Sequence, residues 1–150
     1  MKYTLLIALL AASISAELIH VDFTDRDTAE MTEIKHSIKE GDLLQVTLKE
    51  NPTTGYVWRY ENPFEKASEV YTIEMDEYTE RTNSELKNGV TGIRTIVLKA
   101  EKAGTDVFEL VLVRSWEVQD FIEARAANGE PVKMNEVPNV EYHLIRINVE

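Results

Sequence analysis

LLQVTLKENPTTGYVWRY, residues 43–60, decides the fold class. Leu44, Val46 and Leu48 alternate with Gln45, Thr47 and Lys49. That period of two places one apolar face and one polar face on an extended chain, as in a half-buried β-strand. Asn51-Pro52 then starts a turn, because proline holds the preceding residue extended. Gly55 allows a tight or left-handed backbone at the far end of the turn. Val57 to Tyr60 opens a second strand. Strand, tight connection, strand is the grammar of a β-protein.

The pattern repeats outward from this stretch. Tyr71, Ile73 and Met75 alternate with Thr72 and Glu74, and Ile96, Leu98 and Ala100 with Thr95, Val97 and Lys99. Phe108, Leu110 and Leu112 form one face of a further run; Ile145, Ile147 and Val149 close the chain, and Leu18 to Phe23 is a shorter candidate. All six glycines and all four prolines fall between these runs or at their edges. Seven or so short strands with turn signals between them predict an all-β sandwich or barrel. Two segments break the rhythm. Asp76 to Asn88 is polar without apolar periodicity and reads as an exposed loop. In the long stretch from Glu117 to Pro138, Phe121 to Ala127 reads as a helical turn or two, ended by Asn128-Gly129.

A chain of 150 residues with 43% hydrophobic content predicts one domain with a true core. There is no cysteine, which removes disulfides, thiolate metal sites and a cysteine nucleophile together. The net charge of −11 disfavours a nucleic acid or an anionic membrane surface as partner. The N-terminus has the layout of a secretory signal peptide: Met1-Lys2, a ten-residue apolar run from Tyr3 to Ala12, then small residues through Ala16 and the charged Glu17. Such a run is too short to span a ~30 Å hydrocarbon layer as a helix. Cleavage after Ser15 or after Ala16 fits, and we take Ala16, so that residues 1–16 are the leader and 17–150 the mature domain. The mature chain is then expected in the secretory pathway, either secreted or in a lysosome-like vesicle, with no membrane attachment.

No catalytic pattern emerges. His20, His36 and His143 lack paired-ligand spacing. There is no Gly-x-Ser-x-Gly elbow and no glycine-rich phosphate loop. The acidic cluster Glu74, Asp76, Glu77 and Glu80 lacks the ligand order of a calcium loop. The chain is therefore read as neither an enzyme nor a holder of metal or cofactor.

Asn51-Pro52-Thr53-Thr54-Gly55-Tyr56 is a narrow loop with β-branched, uncharged residues at its tip. A loop of that kind loses little entropy on entering a groove, although turn residues of this type also serve as plain strand connectors. Asn51 to Trp58 resembles the NPTTGYxW signature of the chagasin-type inhibitors of papain-family cysteine peptidases. Two further motifs follow in the family's order. Asn88-Gly89-Val90-Thr91-Gly92 stands where the family has its glycine-rich loop, and Arg114-Ser115-Trp116 where it has Arg-Pro-Trp. Gly41-Asp42 before the first loop, and Leu98-Lys99-Ala100 with Gly104-Thr105 after it, extend the likeness over most of the mature chain. Three features depart from the family pattern. Ser115 replaces a proline, the glycines are spaced Gly89-x-x-Gly92, and the segment from Glu117 to Glu141 is longer.

The resemblance implies an immunoglobulin-like β-sandwich with three loops gathered at one end. It implies a non-enzymatic, reversible, non-covalent, tight-binding inhibitor of cathepsin L-like peptidases that acts as a monomer. The loop of Asn51, Pro52, Thr53, Thr54, Gly55 and Tyr56 would cover the peptidase's catalytic pair, with Thr54 nearest the thiol. Gly89, Val90, Thr91 and Gly92 would lie along the non-primed side. Arg114, Ser115 and Trp116 would cover the primed side, with Trp116 stacked on an enzyme aromatic and Arg114 holding its loop by hydrogen bonds. Trp58, on a strand, is assigned to the core. The competing reading is an exported immunoglobulin-like adhesion or carbohydrate-binding module, since fold does not fix function.

Overall fold

The computed structural model describes residues 15–25, 32–60, 66–80, 91–117 and 141–150. The strands are β1 (Leu18–Asp22), β2 (Thr32–Ile38), β3 (Leu43–Glu50), β4 (Tyr56–Arg59), β5 (Tyr71–Glu80), β6 (Gly92–Ala100), β7 (Gly104–Arg114) and β8 (Glu141–Val149). They form two four-stranded sheets, ordered β1-β3-β6-β5 and β2-β8-β7-β4. The arrangement is the immunoglobulin-like β-sandwich. The pairs β3/β6, β5/β6, β7/β8 and β4/β7 are antiparallel, whereas the edge strands β1 and β2 pair in parallel with β3 and β8.

The core follows from the period of two. Leu44, Val46 and Leu48 of β3 are fully buried, as are Ile96 of β6, Leu110 of β7 and Ile145 and Ile147 of β8. Their inward faces form one cluster with Phe23, Ile38, Leu98, Phe108 and Trp58. Burial of such aliphatic side chains stabilises the sandwich by about 1.5–3 kcal/mol each.

Two expectations are corrected. Asp76 to Glu80, read as the start of a loop, continue β5, paired with β6 from Asp76↔Ile96 to Glu80↔Gly92. The register shifts between Ile73 and Met75, a bulge that resets which residues face inward. Asp76 thereby points into the sandwich and hydrogen-bonds to Arg94 Nε and, at 2.6 Å, to Arg94 Nη2. The second correction is β2, an eighth strand beyond the runs read from the sequence. Ile34, His36 and Ile38 do alternate with charged and polar residues. The histidine dilutes that signal, and an edge strand needs only a thin apolar face. The remainder of the Asp76–Asn88 reading, residues 81–88, lies outside the described residues. So do the helical turn at 121–127 and most of the long segment after Glu117.

Asp76 sets one expectation about pH. Burial raises its pKa, but the Arg94 hydrogen bonds, the Tyr60 hydroxyl at 2.7 Å and the Arg94 charge outweigh that and hold the carboxyl below its ordinary range. A depressed folded pKa stabilises above the unfolded value of about 3.9, and the contribution is lost as pH falls through the folded one. Urea unfolding should therefore give a stability that declines below about pH 4. Asp76→Asn should be less stable at pH 7, with the gap to wild type closing toward pH 3.

Candidate functional site

The sandwich turns its loops toward one end. β3 ends at Glu50, opposite Gly92 at the start of β6. β4 begins at Tyr56, opposite Arg114 at the end of β7. The crossing loop 51–55 carries the chain from one sheet to the other. Residues 51–56, Thr91-Gly92 and 114–116 thus share a pole. Gly89 and Val90 lie outside the described residues.

The 51–55 loop is a single 3₁₀ turn, Pro52–Thr54, capped by Asn51. Asn51 Oδ1 accepts the Thr53 N–H at 3.3 Å and the Thr53 hydroxyl at 2.6 Å. The Thr54 hydroxyl donates to the Asn51 carbonyl at 2.6 Å. The Gly55 N–H donates to the Pro52 carbonyl at 3.0 Å. Both threonine hydroxyl protons are therefore used inside the loop, while Pro52, Thr53 and Thr54 are exposed at the tip. Proline at the first position of the turn fixes φ without losing a needed donor. Gly55 closes it at φ +83°.

The base of the loop is clamped. Glu50, 3% exposed, accepts the Trp58 N–H at 2.8 Å, and the Trp58 indole N–H donates to the Lys49 carbonyl at 2.8 Å. Arg94 Nη1 lies 3.4 Å from the other Glu50 oxygen and ties the clamp to β6. Trp58 is 2% exposed, as expected of a core residue. It lies 5.3 Å from the ring of His143, which stacks at 4.0 Å on Phe23. His143 Nε2 is 3.0 Å from Glu141, and its Nδ1 has no partner among the described residues. The sequence reading missed Glu50 and Arg94 as supports. Each occupies an inward position of an alternating strand, which is a signal in itself. Their pairing across 44 residues of chain is not.

Trp116 is 64% exposed, the most exposed large hydrophobic among the described residues. It rests on Gly55: a Cβ built there would lie 2.6 Å from Trp116 Cη2. The Arg114 guanidinium sits 4.8 Å from the Tyr56 ring centroid and 5.7 Å from that of Trp116, so the three form a stack joining the two loops. Arg114 therefore braces its loop by stacking and by an ion pair to Glu117 at 3.5 Å. Its Nε has no hydrogen-bond partner among the described residues. The Glu117 N–H donates to the Arg114 carbonyl at 2.9 Å, so the turn over Ser115 closes without the family's proline. At the remaining loop, the Tyr78 ring lies where a side chain at Gly92 would point, so a larger residue there would have to displace that ring.

Gly55→Ala is expected to cost about 1–2 kcal/mol of stability, because the left-handed backbone disfavours a Cβ and Trp116 blocks its place. Displacement of the indole should show as a red shift of tryptophan emission, and thermal melts should record the stability loss.

Comparison with known proteins agrees with this geometry. Residues 37–126 match the sequence profile of the chagasin family peptidase inhibitors I42. Amoebiasin-2 of Entamoeba histolytica is 32% identical over 117 residues, covering 78% of this chain and 87% of that protein. The crystal structure of the cysteine protease inhibitor EhICP2 from Entamoeba histolytica superposes with a TM-score of 0.55 at 22% identity, over 89% of this chain and 97% of the other. PbICP-C, solved in complex with falcipain-2, gives a TM-score of 0.51 at 16% identity, over 88% and 99%. With the family profile matched over more than half of its length and a stack of Tyr56, Arg114 and Trp116 seated on the NPTTG loop, this chain belongs to the chagasin family of peptidase inhibitors and is not an enzyme.

Proposed function

We propose that the chain is a reversible, non-covalent, tight-binding inhibitor of papain-like cysteine peptidases of the cathepsin L type. It acts as a monomer that fills the cleft with three loops. The observation that carries this reading is the exposed Trp116 seated on Gly55, beside an uncharged tip whose hydroxyl protons are already bonded. A rigid loop and an aromatic anchor lose little freedom on binding. Aromatic anchors of this kind dominate the energetics of interfaces. Thr54 would sit over the catalytic thiol, the segment at Gly89 to Gly92 along the non-primed side, and Arg114, Ser115 and Trp116 along the primed side. Inhibition would follow from exclusion of substrate, with no bond made or broken. We further propose export through the leader at 1–16, to the outside or to a lysosome-like vesicle.

The test is titration of the mature chain against papain and a cathepsin L-like peptidase, with trypsin and pepsin as controls. Stoichiometric, fully reversible inhibition of the first two alone is expected. Accumulation of cleaved inhibitor, or equal potency on trypsin, would overturn the plug mechanism. Sugar binding without inhibition would favour the adhesion-module reading. Trp116→Ala should weaken inhibition by about 1–3 kcal/mol, mainly through faster dissociation, with little change in the melt.

A further inference from the structure

At the pole opposite the loops, one carboxylate gathers the start of the chain. The turn from β2 to β3 passes through Gly41 at φ +90°, and Asp42 follows it, 6% exposed. Asp42 Oδ2 accepts the Lys39 N–H at 2.9 Å, within its own turn. Its other oxygen, Oδ1, reaches 25 residues back and accepts the backbone N–H of Glu17 at 2.9 Å. The Glu17 carbonyl accepts the Leu43 N–H at 2.8 Å, and β1 begins at the next residue, Leu18, pairing with Leu43. Ser15 and Ala16, just upstream, are exposed and belong to no strand. Asp42 therefore grips the first residue after the leader expected at residues 1–16.

We propose that Asp42 is the receptor for the amino group freed when the leader is cleaved between Ala16 and Glu17. The proposal rests on the export reading above. Hydrolysis by a signal peptidase adds water across the Ala16–Glu17 bond, leaving a carboxylate on Ala16 and an ammonium on Glu17. The same nitrogen that donates a neutral amide hydrogen bond becomes a cation facing the same carboxylate. Charge-assisted hydrogen bonds are shorter and stronger than neutral ones. Cleavage thus converts an ordinary tether of β1 into an ion pair. The start of the edge strand, which would otherwise fray as chain termini do, is held more firmly after maturation. A chain that still carries its leader has the weaker tether.

The pH behaviour follows from the same contact. Among the described residues the other charged partner of Asp42 is Lys39. An α-amino group has an ordinary pKa of about 7.7–8.0, and a carboxylate beside it raises that value. A raised folded pKa stabilises below the unfolded pKa and is lost as pH rises through the folded one.

The experiment compares three proteins at low salt: a chain beginning at Glu17, the same chain acetylated on Glu17, and one beginning at Ser15. The free Glu17 form should melt about 2–5 °C above the other two at pH 7. The gap should close above about pH 9 and shrink in 1 M salt. Asp42→Asn should erase it. Equal melting of the free and acetylated forms at pH 7 would overturn the proposal, whether or not Asp42→Asn folds. So would a gap that survives Asp42→Asn, or an intact mass showing that the exported chain starts elsewhere than Glu17. Inhibition of papain should be the same for all three, because the contact lies at the far end of the sandwich. Loss of inhibition in all three would count against the proposed function and leave this contact standing.

Discussion

Thr54→Glu should weaken inhibition of papain by more than about a hundredfold while the protein stays folded. Thr54 ends the 3₁₀ turn at the exposed tip of the 51–55 loop. No buried residue contributes to that turn, so the substitution opens no cavity. The new side chain would carry its charge into the centre of an interface from which water is excluded. An unpaired charge there costs several kcal/mol, and each 1.4 kcal/mol is tenfold in affinity. One structural contribution must be separated from this: Thr54 also donates its hydroxyl to the Asn51 carbonyl. Thr54→Ser keeps that hydroxyl and should inhibit within a few-fold of wild type. Thr54→Val loses the hydroxyl without adding charge and should fall between the two. Inhibition constants and melts for the three variants decide the matter. A Thr54→Glu protein that inhibits as well as wild type would place the centre of the interface elsewhere.

Trp58→Ala should do the reverse, with a loss of about 3–5 kcal/mol of folding stability. The indole is 2% exposed and belongs to the main core cluster, so truncation leaves a large void. It also removes the indole donor to the Lys49 carbonyl and one wall of the aromatic stack around His143. A loss of this size is a large share of the stability of a domain this small. Urea unfolding should show a lower midpoint, and any loss of inhibition should track the unfolded fraction. The contrast with Trp116→Ala is the informative part, because the two tryptophans differ in burial and not in chemistry. A Trp116→Ala protein that melts far below wild type, beside a normally folded Trp58→Ala protein that does not inhibit, would reverse the two assignments.

Some of this was legible in the amino-acid order alone. The alternation of Leu44, Val46 and Leu48 requires one buried face, because a period of two admits no other placement on an extended chain. Asn51-Pro52 and Gly55 specify a tight turn through their own backbone limits, and the structure has it, capped by Asn51 and closed at φ +83°. These are local properties, decided within a few bonds. The loop's likeness to the inhibitor family is local in the same sense, since the motif residues are consecutive.

What tertiary structure decided lies in pairs far apart in the chain. Asp76 read as polar loop because a charged residue in isolation favours water. Its inward position depends on the β5 bulge and on Arg94, which neutralises it across the sheet. Glu50 reads as the polar end of a strand, and only its meeting with Arg94 and the Trp58 N–H makes it the clamp of the loop. Trp116 and Gly55 lie in separate motifs, and no propensity indicates that one forms the shelf of the other. The contact of Asp42 with Glu17 spans 25 residues. Short-range sterics and periodicity fix which face of each strand is buried. Which buried charges are tolerable, and which exposed aromatic is held ready, depends on partners that only the packing of the two sheets brings within a few ångströms.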